Sequence, residues 1–301
     1  MYGDTMKNLI FSIFSPINDN NTRSNSFFHV GDHLSKAQYS LKQFSAHKQK
    51  LIDVKQKYAE HCNADFVLVE NIDQHFYSDQ FDSINFYKHY LIEQYCEQYD
   101  NILYLDFDVI PTTELSFFDT FDMHTVNVHA IDCNKQNTWT AGQVEASKRE
   151  TYQHLFNQHF DRYHMYCKAK CKLAMLHMDD MNSNDHHVAN TGIIGGSSQA
   201  LSQIQMIGRM NECMNTLQTA VEENMFGEEI TQYFFANNET FYSYILDKYQ
   251  IKWNNITPDW HTMLFDQQGY KLQHDLYNAK LVHVINKNFQ DVWQLKGYVN
   301  D

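Results

Sequence analysis

Two aspartates stand two residues apart at the end of an apolar run, in Leu103-Tyr104-Leu105-Asp106-Phe107-Asp108-Val109-Ile110-Pro111. Continued extended geometry through this stretch predicts both carboxylates on one face. Like charges so close repel, and burying them together is costly without a cation. A divalent ion removes the conflict, because Mg2+ and Mn2+ prefer hard oxygen ligands. Asp106 and Asp108 are therefore candidate metal ligands. The plain alternative is a strand end followed by an acidic surface turn.

A second unusual stretch is Asn190-Thr191-Gly192-Ile193-Ile194-Gly195-Gly196-Ser197, which holds three of the ten glycines of the chain. In so glycine-poor a sequence, that clustering predicts close backbone approach or positive φ angles. A tight strand–helix turn is the alternative. The stretch has neither a G-x-G-x-x-G pattern nor a Gly-Lys-Ser/Thr ending, which disfavours a phosphate loop of that kind. Cys167 and Cys171, with His164 and His177 nearby, have a weak metal-site spacing; ordinary helix-face cysteines are the stronger reading.

The elements that must position these residues follow from periodicity. Lys7–Phe14 reads as a buried strand, 34–60 as a helix with Leu34, Ala37, Leu41, Phe44 and Leu51 near helical spacing, and Asp65–Glu70 as a second strand. Asp82 or Ser83 can cap a helix to about Tyr99, with Phe86, Tyr90, Leu91 and Tyr95 on one face, and Asn101–Asp106 is a third strand. Strand, helix, strand, helix, strand implies an α/β fold with a mainly parallel sheet flanked by helices, where ligands sit at the carboxyl ends of the strands. Later elements are a strand over His187–Gly195, a helix from Ser198 to about Thr216, a helical region 226–249 and a late strand Lys280–Asn286. No linker divides the chain, which predicts one domain over 1–301 with an irregular insertion at about 132–186.

Composition bounds the function. The 23 Lys and Arg against 37 Asp and Glu give a formal net charge of −14, which argues against gripping a long phosphate backbone but not against a small phosphorylated ligand. Aromatics at 15% exclude disorder as the main state. The start lacks the pattern of a signal peptide, and no apolar run approaches membrane-span length. The six scattered cysteines fit free thiols in a reducing, cytoplasmic compartment. The Asn-, Gln- and His-rich, Gly- and Pro-poor composition suggests a viral source, in which case the cytoplasm is the host's.

The segment Phe86-Tyr87-Lys88-His89-Tyr90, followed by Tyr99-Asp100-Asn101-Ile102-Leu103-Tyr104-Leu105-Asp106-Phe107-Asp108, resembles the nucleotide-sugar core of GT-A glycosyltransferases. It is most similar to the metal-dependent retaining branch that includes glycogenin and the lipopolysaccharide glucosyl- and galactosyltransferases. The resemblance implies a GT-A, Rossmann-like fold and transfer of a sugar from a nucleotide sugar, a UDP-sugar by analogy, with retention. It implies that Asp106 and Asp108 hold Mn2+ (or Mg2+) on the donor diphosphate and that Lys88 contacts the donor. A solvated helix lysine is the alternative for Lys88. By the same resemblance the side chain of Asn190 faces donor sugar or acceptor as a catalytic candidate, and Thr191 and Gly192 bind the donor. The resemblance also implies that His283, in Leu281-Val282-His283-Val284-Ile285-Asn286-Lys287, completes the metal site and that Lys287 reaches the diphosphate. The usual His-x-x-Gly-x-x-Lys-Pro-Trp form is degraded here: Asn286 replaces the glycine and no proline precedes Trp293. Glu239, with Glu228 and Glu229 as competitors, is the candidate carboxylate that approaches the sugar or acceptor hydroxyl. A glutamate near a helix cap is its structural alternative.

Two rival readings stay open on the sequence. A phosphohydrolase of the haloacid dehalogenase type also ends a strand in Asp-x-Asp, and Asp180–Asp185 could mimic its later acidic motif. Here, however, two strand–helix units precede the motif, and Val109-Ile110-Pro111 replaces the usual Gly-Thr. The other rival is a non-catalytic module that binds a sugar nucleotide or glycan through its aromatics. The acceptor stays open among glycan, protein, lipid head group, metabolite and modified nucleobase.

Overall fold

β1 (Asn8–Phe14) is buried along five of its seven residues, as a strand covered on both faces must be. It lies between β4 (Ala64–Glu70) and β5 (Asn101–Leu105) and runs parallel to both. The computed structural model describes residues 6–15, 29–30, 34–73, 76, 83–132, 168–225, 237–264, 276 and 278–295. The six-stranded sheet has the order β4-β1-β5-β8-β7-β9, with β7 at Val126–Asp132, β8 at His187–Ser197 and β9 at Trp253–Asn255. β7 and β9 are parallel. The expected mainly parallel α/β sheet is therefore present, with one departure that matters: β8 runs antiparallel to β5. That direction brings Thr191 and Gly192 to the carboxyl end of β5, where Leu105 faces Ile193.

α1 (Lys36–His61) is the predicted long helix, and Phe44, Leu51, Lys55, Tyr58 and Ala59 form its buried stripe. Leu34 and Ser35 are instead β3 (Leu34–Ser35), paired antiparallel to β2 (His29–Val30). α2 (Ser83–Tyr95) stops one turn earlier than expected. The chain must turn there, because the Asp100 and Asn101 N–H groups donate to Lys7 O to start β5. β6 (Val109–Pro111) forms a small second sheet with β10 (Thr262–Met263) and β11 (Leu281–His283), in the order β10-β11-β6. The late strand is thus shorter than predicted, because the chain turns at Ile285–Asn286 and Lys287 takes a left-handed φ of 60°. The short helix α3 (Phe117–Thr120) is capped by the Ser116 hydroxyl. Gly195 packs so closely on it that a β-carbon there would lie 2.3 Å from the Phe117 ring. Close approach is what that glycine serves.

The predicted helix 198–216 is two helices, α5 (Ser198–Leu201) and α6 (Met210–Glu222). The break places Gln205 at φ 45° and buries Ile204 and Met206 on either side, which a continuous helix could not do with both. Of the predicted 226–249 region, α7 (Asn238–Lys248) is helical, opened by the Asn237 side chain accepting from the Glu239 and Thr240 N–H groups, while 226–236 lie outside the described residues. α4 spans 168–178 and α8 Phe289–Leu295. Most of the predicted insertion, 133–167, also lies outside them, with Cys167 and His164; Cys171 is buried and in no disulfide, and His177 is exposed. Among the described residues no helix is long and apolar enough to cross a membrane.

The chain divides into two compact units. The first combines Met1–His129, Thr191–Ile207 and Lys252–Asp301; the second combines Ala130–Asn190 and Gly208–Ile251. In the first, one core cluster gathers Ile10, Leu103, Leu105, Phe117, Ile193 and Trp260, and another gathers Phe44, Leu51, Phe107, Val282, Phe289 and Trp293. In the second, α4 and α7 are joined by buried ion pairs, Lys168 with Glu239 and Lys172 with Asp247.

Candidate active site

Asp106-Phe107-Asp108 does not continue β5 as extended chain. It forms a turn closed by the Val109 N–H on Asp106 O at 2.9 Å, so alternation along a strand is not what aligns the carboxylates. Phe107 aligns them by anchoring the turn in the core, with its ring 4.8 Å from Phe14 and 5.4 Å from Phe44 by centroids. Four successive carbonyls of this segment are held from four directions. Leu105 O accepts from the Ser12 hydroxyl at 2.6 Å, Asp106 O from Val109 N–H, Phe107 O from the Lys55 ammonium at 2.9 Å, and Asp108 O from Val284 N–H at 2.9 Å. The Asp106 N–H donates to Gly192 O at 2.8 Å. Backbone held this way needs little reorganisation when a ligand arrives.

The side chains sort into inner and outer oxygens. Asp106 Oδ1 accepts from Tyr104 OH at 2.5 Å and Lys88 Nζ at 3.2 Å. Asp108 Oδ2 accepts from Lys287 Nζ. The other oxygen of each carboxylate faces His283: Nε2 lies 3.7 Å from Asp106 Oδ2 and 3.4 Å from Asp108 Oδ1. β11 supplies His283 because it pairs antiparallel with β6, directly after the aspartates, with His283 opposite Val109.

Burial alone would push the Asp108 carboxyl up; Lys287 and His283 outweigh it and hold the group well below the ordinary carboxylate range. Burial, then Asp106, keeps the Tyr104 phenol protonated and therefore a donor. Burial pushes the Lys55 ammonium down to about 7, with Asp108 and then Asp106 opposing the shift. Lys88 is buried rather than solvated: its Nζ also donates to Thr191 O at 3.0 Å and lies over the Tyr104 ring.

The donor set can be tested for a divalent cation. One ligand atom from each of Asp106, Asp108 and His283 lies within 4.8 Å of the others, and among the described residues this is the cluster of three or more such groups that does so. Metal–oxygen bonds of about 2.1 Å place octahedral neighbours roughly 3 to 4.2 Å apart, and the separations of 3.4 and 3.7 Å fall inside that range. Two carboxylate oxygens and one imidazole nitrogen suit Mn2+ or Mg2+. The residues fit.

The other predicted residues fall in different places. Thr191 and Gly192 meet the aspartate turn through their carbonyls, as described. Asn190, directly before them on β8, is buried in the second unit. Glu239, also in the second unit, pairs with Lys168 in the first turn of α7. Glu228 and Glu229 lie outside the described residues. Sequence reasoning missed Lys55, Tyr104 as a donor, Ser12 and His261. The signal for Lys55 was available, as a lysine standing in the apolar stripe of α1.

The sequence model of glycosyl transferase family 8 matches residues 7–160, just over half of the 301. The chain belongs to this family. It is a glycosyltransferase with a GT-A fold, and it moves a sugar from a nucleotide-sugar donor to an acceptor. The haloacid dehalogenase and non-catalytic readings fall with that match. No curated protein sequence matches the chain. Among solved structures, it is similar to a glycosyltransferase involved in glycosylation of the major capsid of PBCV-1, at 12% identity and TM-score 0.45, covering 97% of this chain and 100% of that one. It is similar to the galactosyltransferase LgtC in complex with donor and acceptor sugar analogs, at 10% identity and TM-score 0.45, covering 98% and 96%. Mouse xyloside xylosyltransferase 1 gives 11% identity and TM-score 0.37, covering 93% and 98%.

Proposed function

We propose that this family 8 enzyme is a metal-dependent transferase acting on a UDP-sugar with retention, and that Asp106, Asp108 and His283 hold the Mn2+ or Mg2+. The observation that carries the reading is the convergence of Asp106 Oδ2, Asp108 Oδ1 and His283 Nε2, while the outer carboxylate oxygens are occupied by Tyr104, Lys88 and Lys287. A divalent cation bound there supplies Lewis acidity against the charge that develops on the departing nucleotide diphosphate.

The residues of the chain do the rest. Lys55 and Val284 fix the backbone of the aspartate turn, so the carboxylates meet the donor without rearranging. Lys88 orients Asp106 and ties it to Thr191 O. Lys287 neutralises Asp108 and is the side chain we assign to the diphosphate; its backbone is left-handed, and its ammonium reaches Asp108 despite the missing glycine and proline of the usual motif. Asn190 and Glu239 stand as the groups addressing sugar or acceptor, Glu239 as a carboxylate held by Lys168. We place the reaction in the cytoplasm, in keeping with the four described cysteines being in no disulfide.

The test is to incubate the protein with UDP-sugars and Mn2+ and follow UDP release, with the anomeric configuration of any product read by proton NMR. Release that requires Mn2+ and stops in the Asp106→Ala, Asp108→Ala double variant is expected. Release unchanged by that variant contradicts the site.

A further inference from the structure

His283 presents Nε2 to the two aspartates, so its other nitrogen decides its chemistry. A cation at the aspartates needs an unprotonated Nε2, which requires the proton on Nδ1, and a buried Nδ1–H requires an acceptor. His283 Nδ1 lies 3.0 Å from His261 Nε2. The rings are 5.2 Å apart by centroids and only 21° from coplanar. The N···N distance plus the two ring radii accounts for that separation, so the rings meet edge to edge in a hydrogen bond rather than face to face.

His261 is placed for this by the fold. It follows the Pro258–Trp260 turn, whose Trp260 is wedged against Phe117 and Phe121, and precedes β10, which runs parallel to β11 with Met263 opposite His283. Both histidines are buried. The neighbouring ring, His129, has its Nδ1–H committed to Ile256 O at 3.0 Å.

We propose that His261 is the positioning residue that sets the tautomer of His283: it accepts the Nδ1 proton of His283 and thereby frees Nε2 for a divalent cation. The inference rests on the metal reading above. The protons balance within the pair. Without a cation, His261 Nε2–H donates to His283 Nδ1 and His283 Nε2–H donates to the aspartates. With one, both neutral rings carry their proton on Nδ1, and the bond between them reverses. The second arrangement puts a proton on His261 Nδ1, a buried atom with no hydrogen-bond partner among the described residues. The first leaves only a lone pair there, so the pair favours the cation-free tautomer until a cation claims Nε2.

Mn2+ binding to the full chain without donor, read from the EPR signal of the free ion, compares the parent, His261→Gln and His261→Leu. His261→Leu is expected to bind about 10–100-fold more weakly. His261→Gln, whose amide oxygen can take the same proton, is expected to recover most of that loss. Leucine binding as tightly as the parent, or glutamine as weakly as leucine, overturns the proposal. On 15N-histidine-labelled parent titrated with Mg2+, His283 Nδ1 (assigned from its loss in His283→Gln) should move to the protonated chemical-shift region and Nε2 to the unprotonated one. An Nδ1 still unprotonated at saturation overturns the proposal even if the leucine variant does not fold. A parent that binds neither ion removes the metal reading as well.

Discussion

Each unit of the chain carries a buried charge cluster, and the two are built on different rules. In the second unit Lys168 pairs with Glu239, and Lys172 with Asp247 at 2.7 Å and Asp185 at 3.6 Å. The lysines are four residues apart on α4, and Glu239 and Asp247 eight apart on α7, so the pairs close like rungs between two helices. The Lys172 ammonium also donates to His187 O at 2.8 Å. In the first unit the lysines take only the outer oxygens of Asp106 and Asp108, and the inner oxygens converge on His283. Buried charge is therefore no mark of function by itself. A structural network pairs its charges, whereas a binding site leaves donor atoms aimed at a common point.

The comparison can be broken most severely at the aspartates. Asp108→Asn or Asp106→Asn removes a ligand, and each is expected to lower transfer about 10³-fold, as several kcal/mol of charge stabilisation is lost. The metal-free melting temperature should fall less than it does on breaking a pair in the second unit, since losing one carboxylate charge also removes the repulsion between the two aspartates. UDP release and a thermal melt on the same preparation check this. A comparable loss of melting temperature would make the cluster structural.

In the second unit the effects reverse. Lys168→Met strands Glu239 as a buried carboxylate without its ammonium and is expected to cost about 3–5 kcal/mol, read as a lower urea midpoint. Lys168→Met with Glu239→Leu replaces the whole pair and should return the midpoint to that of the parent or above it. Transfer in the double variant then separates two roles. A stable but slow enzyme keeps Glu239 among the groups that address the sugar, and a stable, fully active one leaves it a purely structural partner.

A pH dependence, small over any one pH unit, sharpens the first cluster. Lys55 has its ammonium lowered to about 7 in the fold from an ordinary value of about 10.5. Between those pH values the unfolded chain holds the proton and the folded chain does not, so this group makes stability rise with pH. Compared with Lys55→Met, the metal-free parent should gain about 1.4 kcal/mol per pH unit from pH 7 to 10. Parallel stability–pH curves for the two would show that Lys55 sits in an ordinary solvated setting.

How much of this was legible beforehand depends on where the information lies. The aspartates after an apolar run, the strand–helix alternation before them and the glycine cluster are local patterns, and local patterns survive in sequence. Their carboxylates share a direction for a reason that is not local: Phe107 is anchored by Phe14 and Phe44 from elsewhere in the chain. Lys55 left one trace, a charge in an apolar helical stripe. His261 left none, because a histidine between Trp260 and Thr262 has no periodicity that marks it, and only the pairing of β10 with β11 brings it to His283. The helix break at 202–209 was likewise invisible, since it depends on burying Ile204 and Met206 together.

The central claim is that Asp106, Asp108 and His283 hold one divalent cation for a nucleotide-sugar donor. It is tested most directly by a crystal of the protein with UDP and Mn2+, measured for anomalous scattering. The account predicts one strong peak within bonding distance of Asp106 Oδ2, Asp108 Oδ1 and His283 Nε2, with the UDP diphosphate completing its shell. A peak held by other residues, or UDP bound with no cation at the aspartates, would contradict it.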